Sequence, residues 1–405
     1  MKKSEMGSVG KIVVFGAGKI GRSFVGQLFA RAGFEVVFVD LFQRVIEQLN
    51  LRGGYDVIIK KPEGDEVLHV SGVRGIMGTE REKIAEELAE CRIAAVSVGQ
   101  KGLPHIVPNL AAGLRLRYER YGIRPLDIIL AENMREAGEY VMGLLRKELP
   151  DDFPLTGMTG LVETSIGKMV PIMPLAEQER DPLLVYAESY NTLILDNKAF
   201  KNPIPDVAGL APKDNIKAWV DRKSYIHNFG HAAAAYRGYV ALPEAKYLSS
   251  ILKNSAVYNH VRSAMMQSAA VLMAKYPGEF TEDALREHID DLLSRFANEA
   301  LGDTVFRVGC DLRRKLYRTD RVLSPLLDGV KMELAVDKIA EVFADGLHFR
   351  ATGEDGRMLT DDETFASELR QRGVMWVVKN ICGLDPENDR GAVEMICSPA
   401  SGMGV

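Results

Sequence analysis

The segment Lys11-Ile12-Val13-Val14-Phe15-Gly16-Ala17-Gly18-Lys19-Ile20-Gly21 joins a short apolar run to a glycine-rich turn. A buried apolar run of this length, ended by glycine, is typical of a strand covered on both faces in a parallel sheet. The turn has the spacing G-x-G-x-x-G, and a segment of helical period starts at Ile20. The motif alone is weak evidence. Because it follows a predicted strand and precedes a predicted helix, it predicts a binding site for a dinucleotide.

The glycines of this turn have separate expected roles. Gly16 permits the tight turn, Gly18 lets the backbone approach a pyrophosphate, and Gly21 lets the helix pack closely on the strand. The start of the helix, with Lys19 and Ile20, offers free N–H groups and the positive end of the helix dipole to an anion. We therefore predict that these five residues bind the pyrophosphate of a dinucleotide.

Asp40 ends the second apolar run, Phe34–Asp40. At this distance from the glycine turn an acidic side chain meets the adenosine ribose hydroxyls and repels a 2′-phosphate. This predicts NAD rather than NADP as the cofactor, although Arg44 lies near enough in sequence to leave the preference open. A glycine-rich turn with an unrelated strand-end aspartate is the alternative, which the combined context disfavours.

Two later strand ends add candidate residues. Gly99 follows the run Ala94–Val98, and Asn133 follows Asp127–Glu132. Ligands of open parallel sheets bind at the carboxyl edge of the strands. We expect Gly99 to let the nicotinamide half of the cofactor pass close to the backbone and Asn133 to offer its amide N–H to a substrate oxygen. Taken singly, each residue also suits an ordinary loop.

The length of 405 residues predicts two domains, because single cores stop growing below that size. Apolar runs alternate with amphipathic segments up to about residue 200. A loop rich in Pro and Asp follows, and the sequence beyond it is mostly of helical period. We predict an α/β protein with an NAD-binding Rossmann-type parallel-sheet domain at 1–198 and a mainly α-helical substrate-binding domain at 199–405.

Composition excludes several function classes. The net charge of −5 gives no reason to expect nucleic acid or an anionic membrane as a partner. Apolar runs stay too short for a transmembrane helix, or for a signal peptide after Lys2 and Lys3. We expect a cytoplasmic monomer or homodimer that acts on a small molecule and uses no metal. The cysteines lack a C-x-x-C pair, which is typical of reduced thiols; they are Cys91, Cys310, Cys382 and Cys397.

The segment Asp221–His231 carries the candidate catalytic groups. Oxidation of an alcohol by hydride transfer needs a base for the hydroxyl proton and hydrogen-bond donors for the developing alkoxide. Burial would lower the pKa of Lys223 and let it serve as the base, with Asn228 and His231 as donors. On an α-helix the polar groups share one face, at about 0°, 40°, 80° and 140° for Lys223, His227, His231 and Asn228.

Two other interpretations of this segment remain open. His227 and His231 have the spacing of a zinc pair, but Asn228 stands where the pattern H-E-x-x-H needs its glutamate, and no third ligand is evident nearby. A polar helix face that is solvated or satisfied within the core would produce the same pattern.

The motifs resemble the polyol-specific long-chain dehydrogenases, most closely their mannitol-1-phosphate 5-dehydrogenase branch. The family signature K-x4-N-x2-H is present as Lys223, Asn228 and His231. The resemblance covers nearly the whole chain, since it includes GAGKIG, SVGQ, AENM, RDPLLVYAE, DNIKAWVDRKSYIHNFGHA, DGLHFR and ICGLD.

This resemblance implies a Rossmann domain followed by a mainly helical substrate domain, with metal-independent chemistry. It implies that Lys223 is the general base and that Asn133 and Asn228 donate to the reacting oxygen. By the same analogy His231 and His348 contact the substrate in a cleft between the domains.

One departure bears on the substrate. Relatives carry an Asp-Arg pair where this chain has Gly167-Lys168. Because a carboxylate near the expected pocket is lost, the identity of the substrate stays open, while the residues for hydride transfer are retained.

A phosphorylated substrate needs fixed cations, and one short segment is rich in them. Arg313 and Arg321 are our candidate substrate residues there. A solvated basic face with surface ion pairs is an equally good interpretation. The cations are Arg307, Arg313, Arg314, Lys315, Arg318 and Arg321.

We therefore predict reversible, NAD-linked interconversion of mannitol 1-phosphate and fructose 6-phosphate. The alternatives within the family are an unphosphorylated polyol dehydrogenase and a reductase of tagaturonate or fructuronate. A protein that senses NAD without turnover is a further alternative, but such a sensor has no need for Lys223, Asn228 and His231 together.

Overall fold

The computed structural model describes residues 10–397, and the chain forms two compact units that divide between Val220 and Asp221. The strand Leu210–Lys213 pairs in parallel with Leu193–Asp196, so the segment after residue 198 still contributes to the first unit. The functional boundary between residues 198 and 199 stays a prediction.

The first unit is built on an eight-stranded sheet in the order β11-β10-β8-β7-β6-β1-β2-β5, beside a small sheet in the order β4-β3-β9. The strands are β1 Gly10–Phe15, β2 Phe34–Asp40, β3 Gly54–Ile59, β4 Glu66–Ser71, β5 Val73–Met77, β6 Ile93–Val96, β7 Leu126–Leu130, β8 Thr159–Ile166, β9 Val185–Ala187, β10 Leu193–Asp196 and β11 Leu210–Lys213.

The topology places a crevice beside β1. From β1 the large sheet extends through β2 and β5 on one side and through β6, β7 and β8 on the other, with parallel pairing along this whole stretch. The strand order thus reverses at β1. In open α/β sheets the carboxyl ends of the strands at such a reversal form the ligand crevice. Only the β8–β10 pairing within the described part of this sheet is antiparallel.

Both faces of β1 are buried. Ile12 and Val14 belong to one apolar core and Val13 and Phe15 to another, as expected where alternate side chains of a strand point to opposite faces. A strand that is apolar on both sides must be covered by helices on both sides. The α-helices along the chain as far as Arg222 are α1 Gln27–Arg31, α2 Gln43–Arg52, α3 Arg81–Glu90, α4 Leu103–Tyr121, α5 Ala137–Glu148, α6 Leu155–Met158, α7 Leu175–Arg180 and α8 Ile216–Arg222, and the last of these crosses into the second unit.

The second unit is helical, and together with the parallel sheet this confirms the predicted fold class. Its central helix α9 packs against α11, α13 and α16, and the alanines 232–235 are fully buried there. The helices are α9 Phe229–Ala241, α10 Leu248–Leu252, α11 Ser255–Lys275, α12 Glu282–Phe296, α13 Val305–Gly309, α14 Leu312–Lys315, α15 Leu323–Lys331, α16 Asp337–Leu347, α17 Thr360–Arg372, α18 Val374–Asn380 and α19 Arg390–Cys397, with a 3₁₀ turn at Glu299–Leu301.

Within residues 10–397, we find no helix with the length and apolar character needed to cross a membrane.

Candidate active site

In the glycine turn after β1, two positions, Gly16 and Gly21, have no room for a side chain. Gly16 has a φ of +95°, and a Cβ there would lie 2.5 Å from the carbonyl oxygen of Ser97. A Cβ on Gly21 would collide with the carbonyl oxygen of Gly16. The fold itself therefore requires glycine at both positions.

Gly18 differs from its neighbours in the turn. It is exposed, and apart from Gly18 itself and its two neighbours in the chain no protein atom lies within 4 Å of the position that a Cβ would occupy. Lys19 beside it is also exposed, and the helix begins directly after Ile20 with a π-helical turn, Gly21–Gly26. A glycine that the protein does not need for its own packing fits a cradle for a ligand such as a pyrophosphate.

Asp40 is bound to the glycine turn. Its Oδ2 atom accepts a hydrogen bond of 2.6 Å from the backbone N–H of Ala17, and Oδ1 accepts one of 3.0 Å from Phe42 N–H. Arg44 donates instead to the carbonyl oxygen of Glu179 at 2.8 Å. The carboxylate thus lies beside the cradle, while the nearest arginine in sequence is engaged elsewhere, an arrangement that suits an unphosphorylated ribose.

Arg22 is a residue that the sequence analysis missed. Its Nε donates to the carbonyl oxygen of Ala17 at 2.6 Å and its Nη1 to that of Pro182 at 2.8 Å. Burial lowers the pKa of the guanidinium to about 10, so it remains charged at neutral pH. Ala17 is therefore held through its N–H by Asp40 and through its C=O by Arg22, which fixes the cradle between them.

The ends of β6 and β7 meet the same edge of the sheet as the glycine turn. Gly99 has a φ of +79°, a left-handed conformation that favours glycine. The buried carboxylate of Glu132 accepts hydrogen bonds from the N–H groups of Val98 at 2.8 Å and Gly99 at 3.0 Å. Burial raises the pKa of Glu132. Asn133 follows it and is exposed at this edge, and its contact with a substrate stays a prediction.

In the second unit, the segment of Lys223 departs from the expected α-helix. Lys223–Asn228 forms a π-helical turn between α8 and α9. A π-turn holds more residues than an α-turn, so the angles derived from 100° per residue are wrong for this segment. His227 and His231 still lie together, with ring centroids 6.2 Å apart. Such turns often occur at functional sites.

Lys223 has an electrostatic environment suited to a base. Its side chain is half-buried, and burial together with the positive charge of Arg321 lowers its pKa to about 8. Asn228 is half-buried on the same π-turn, and across residues 10–397 its side-chain amide has no hydrogen-bond partner. The turn thus presents an amine that deprotonates near neutrality and an amide able to bind a ligand.

His231 is positioned by an aromatic ring and a carboxylate. It stacks on Phe296 with centroids 4.4 Å apart and planes within 7° of parallel. Its Nε2 lies 3.2 Å from Oδ2 of the buried Asp303, which also accepts a hydrogen bond from Arg307. Burial, followed by the charges of Arg307 and Lys315, lowers the pKa of His231 to about 3. The imidazole is therefore neutral at physiological pH.

A polar network supports the other side of the π-turn. The hydroxyl group of Tyr225 bonds to Asp328, and Lys275 donates to the same carboxylate at 2.7 Å and pairs with Asp221 at 2.9 Å. The hydroxyl of Ser268 donates to the backbone carbonyl oxygen of Tyr225 at 2.6 Å. Helix α11, which carries Ser268 and Lys275, thereby holds the π-turn in place.

The zinc alternative requires a third ligand for His227 and His231. Within the described part of the chain no group of three or more His, Cys, Asp or Glu side chains lies close enough to hold a metal ion. His227 instead packs against Phe296, with ring centroids 5.6 Å apart.

Most of the arginine-rich segment is used in ion pairs. Arg313 pairs with Glu368, and Arg318 pairs with Asp389 at 3.2 Å. Arg314 binds Asp311 at 2.5 Å. These three arginines fit the interpretation as a face of ion pairs.

Arg321 differs from the other arginines. Its side chain is only 12% exposed and pairs with the adjacent Asp320 at 2.7 Å. Burial is the main cause that lowers the pKa values of Lys223, His231 and Lys315, and the positive charge of Arg321 adds to each of these shifts. Arg321 therefore lies close to the candidate catalytic groups.

His348 is the remaining histidine that the resemblance implies as a substrate contact. His348 is half-buried directly after α16, and among the described residues no hydrogen bond or ring contact joins it to His231. Its contact with a substrate stays a prediction.

The departure at Gly167-Lys168 has a structural explanation. Lys168 is buried, and its Nζ donates to the carbonyl oxygens of Glu188 at 3.0 Å and Tyr190 at 2.7 Å. A Cβ on Gly167 would lie 3.4 Å from the Tyr190 ring, so the tyrosine fills the space into which a longer side chain would extend.

Comparison with known proteins covers both units. Residues 10–209 match the family model of the mannitol dehydrogenase Rossmann domain, and residues 215–377 match that of the mannitol dehydrogenase C-terminal domain. The chain is similar in fold to a D-sorbitol dehydrogenase in substrate-free form, with a TM-score of 0.77, 16% identity, and coverage of 94% of this chain and 91% of the other. It is also similar to Pseudomonas fluorescens mannitol 2-dehydrogenase in a ternary complex with NAD and D-mannitol, with a TM-score of 0.70, 15% identity, and coverage of 96% and 90%. The chain therefore belongs to the mannitol dehydrogenase family.

Proposed function

We propose that this protein is an NAD-dependent dehydrogenase that interconverts a polyol phosphate and a ketose phosphate, with mannitol 1-phosphate and fructose 6-phosphate as the leading pair. Membership of the family supports an oxidoreductase that acts on a CH–OH group. The observation that carries the finer assignment is the set of positive charges around the neutral His231 and the lowered pKa of Lys223.

The first unit has the residues that NAD requires. The open position at Gly18 accepts the pyrophosphate next to the start of the helix, and Asp40 is placed for the ribose hydroxyls. Gly99 leaves room beside the backbone for the nicotinamide half. When bound, nicotinamide supplies the hydride acceptor for the oxidation.

Lys223 supplies the base in this proposal. With a pKa of about 8, a useful fraction of the amine is neutral near pH 7.5 and can take the proton of the substrate hydroxyl group. Asn228 donates a hydrogen bond to the oxygen as negative charge develops there. The resemblance in sequence adds Asn133 as a second donor.

The charge around His231 favours an anionic substrate. Arg307, Lys315, Arg321 and Arg295 each act to lower the pKa of this histidine, so their positive charges are concentrated near it. Asp303 and Asp320 offset part of this charge through their ion pairs with Arg307 and Arg321. The remaining positive charge still favours a phosphate over a neutral polyol. Arg321 is the strongest candidate for contact with the phosphate, because its charge also lowers the pKa of Lys223 and its side chain is largely shielded from solvent.

The second candidate is an unphosphorylated polyol dehydrogenase. The structures of similar fold are named for sorbitol and mannitol, which carry no phosphate, although identities of 16% and 15% establish the fold alone. A hexuronate reductase is the third, since a carboxylate would also suit the positive field.

Consumption of NADH measured in parallel with fructose 6-phosphate, fructose, tagaturonate and fructuronate tests the assignment. We expect turnover with fructose 6-phosphate and a kcat/KM at least about 100-fold lower with fructose, because hydrogen bonds to charged groups contribute about 1.5–3 kcal/mol each. Turnover with fructose alone, or with a hexuronate alone, would assign the protein to another branch. No turnover with any of the four, despite measured NADH binding, would favour the sensor.

Replacing Arg321 with glutamine is expected to lower kcat/KM for fructose 6-phosphate about 100-fold, because a charge-assisted contact to phosphate is lost. Arg313→Gln is the matched control, since the side chain of Arg313 is 37% exposed and its guanidinium is paired with Glu368. We expect that variant to stay within about threefold of the parent protein, as exposed ion pairs contribute little. An equal loss in both variants would contradict a specific phosphate contact at Arg321.

A further inference from the structure

The hydrogen bond between His231 and Asp303 determines which nitrogen of the imidazole carries the proton. Asp303 is 5% exposed, and its two oxygens are engaged by Arg307 and by Nε2 of His231. An ionised carboxylate only accepts hydrogen bonds. The nitrogen 3.2 Å from Oδ2 must therefore be the N–H donor of the ring.

The ring carries a single proton. His231 is half-buried, with Arg307, Lys315, Arg321 and Arg295 as its charged neighbours, and burial and these charges oppose a second proton. In a neutral imidazole one nitrogen donates and the other accepts. With the proton on Nε2, Nδ1 has a lone pair and can only accept.

The stacking on Phe296 restricts the ring to this orientation. The planes of His231 and Phe296 are within 7° of parallel at a centroid distance of 4.4 Å. A rotation of the imidazole out of this plane would lose the stacking. A 180° flip within the plane would keep the stacking but would place a ring carbon instead of Nε2 beside Asp303, so it would lose the hydrogen bond. The ring therefore presents Nδ1 in one fixed direction.

We propose that Asp303 is a positioning residue that fixes His231 in the Nε2–H tautomer, so that His231 accepts a hydrogen bond from a substrate hydroxyl group. The identity of the substrate rests on the proposed function, while the direction of the hydrogen bond goes beyond it. The expectation from sequence had His231 as a donor; the carboxylate reverses that role. An acceptor at this position selects a hydroxyl group and disfavours a carbonyl or carboxylate oxygen, which has no proton to give.

The tautomer can be measured without any substrate. Long-range ¹H–¹⁵N correlation spectra of the full chain labelled with ¹⁵N-histidine distinguish a protonated from an unprotonated ring nitrogen, and a His231→Gln variant assigns the signal. We expect a protonated Nε2 and an unprotonated Nδ1 at pH 7. The opposite tautomer, or a doubly protonated ring, would overturn the proposal.

Asp303→Asn is expected to reverse the tautomer. Because Arg307 can only donate, it retains the amide oxygen of the new side chain and turns the amide nitrogen toward His231. Nε2 must then accept, and the proton moves to Nδ1. We expect kcat/KM for the polyol substrate to fall about 10- to 100-fold, by analogy with the loss when the hydrogen-bond partner that orients a metal-binding histidine is removed, with NADH affinity unchanged.

Asp345→Asn is the matched control, because Asp345 is also a buried carboxylate of the second unit that accepts from an arginine, Arg237, at 3.2 Å. We expect it to leave the His231 spectrum and kcat/KM unchanged. A loss of activity in Asp303→Asn with an unchanged tautomer would assign Asp303 a structural role and overturn the proposal. If the parent protein turns over no polyol or ketose, the proposed function fails, yet the spectra of the two variants still decide the role of Asp303.

Discussion

Replacement of Lys223 by methionine is expected to lower kcat for polyol oxidation about 10³-fold, since a general base contributes typically 10²–10⁴. Methionine keeps the length and the apolar part of the side chain and removes only the amine. Steady-state kinetics in both directions measure the loss, and fluorescence titration with NADH measures cofactor affinity, which we expect to stay the same. A variant with more than about a tenth of the parent kcat would exclude Lys223 as the base.

The pH dependence provides a second readout for the same residue. Oxidation needs the neutral amine, so kcat/KM should rise about tenfold per pH unit below the pKa of about 8 and level off above it. Reduction needs the protonated amine, so its rate should fall above the same pH. In Lys223→Met both dependences should disappear. His231 adds no step near neutrality, because its pKa is about 3.

A measurement of thermal stability distinguishes the loss of the base in Lys223→Met from a loss of activity caused by misfolding. Burial lowers the pKa of Lys223 from 10.5 to about 8, so the protonated amine costs the folded state free energy at pH below about 8, and this cost is relieved as the pH rises from about 8 to 10.5. Removing the amine relieves the cost at any pH. The Tm of Lys223→Met at pH 7 is therefore expected to equal or exceed that of the parent protein, as is common where function opposes stability.

The features of the fold and the site that the sequence could predict are those set by residues close together in the chain. The apolar run of β1, the glycine spacing after it and Asp40 at the end of β2 are local patterns with one physical explanation each. The parallel sheet and the helical second unit were predicted on this basis and are confirmed.

The missed residues act through partners that are distant in sequence. Arg22 donates to Pro182, 160 residues away, and Asp303 bonds to His231, 72 residues away. Their side-chain types occur at many surface positions, and no periodicity marks these two. The arginine-rich segment shows the same limit, because its composition is visible in the sequence while the pairing of Arg313 with Glu368 is a property of the fold.

The π-turn at Lys223–Asn228 could not be predicted for a different reason. Its formation depends on packing, since Ser268 of α11 donates to the carbonyl oxygen of Tyr225 within the turn. The pattern of apolar and polar residues indicates a helix in this segment, but it does not show whether a given turn is an α-turn or a wider π-turn. The sequence therefore indicates which residues share the segment and leaves their angles to tertiary contacts.

Substitution by alanine should affect different properties at Gly18 and Gly21: NADH affinity at Gly18 and thermal stability at Gly21. Gly18→Ala is expected to raise the Kd for NADH about 100-fold, or ~3 kcal/mol, while the Tm of the free protein stays unchanged. The reason is that the protein leaves the Cβ position of Gly18 open, so a methyl group there meets only the pyrophosphate. Fluorescence titration with NADH and thermal unfolding without cofactor measure the two effects.

Gly21→Ala should lower the Tm itself, because its Cβ would collide with the backbone carbonyl oxygen of Gly16, which cannot move without breaking the turn. Gly143→Ala is the control, since Gly143 lies inside α5 with no atom within 4 Å of its Cβ position. Alanine there should stabilise the helix by about 0.5–1 kcal/mol and leave NADH binding unchanged. If Gly18→Ala bound NADH as tightly as the parent protein, the pyrophosphate would lie elsewhere, and the glycine turn would serve only the packing of α1 on β1.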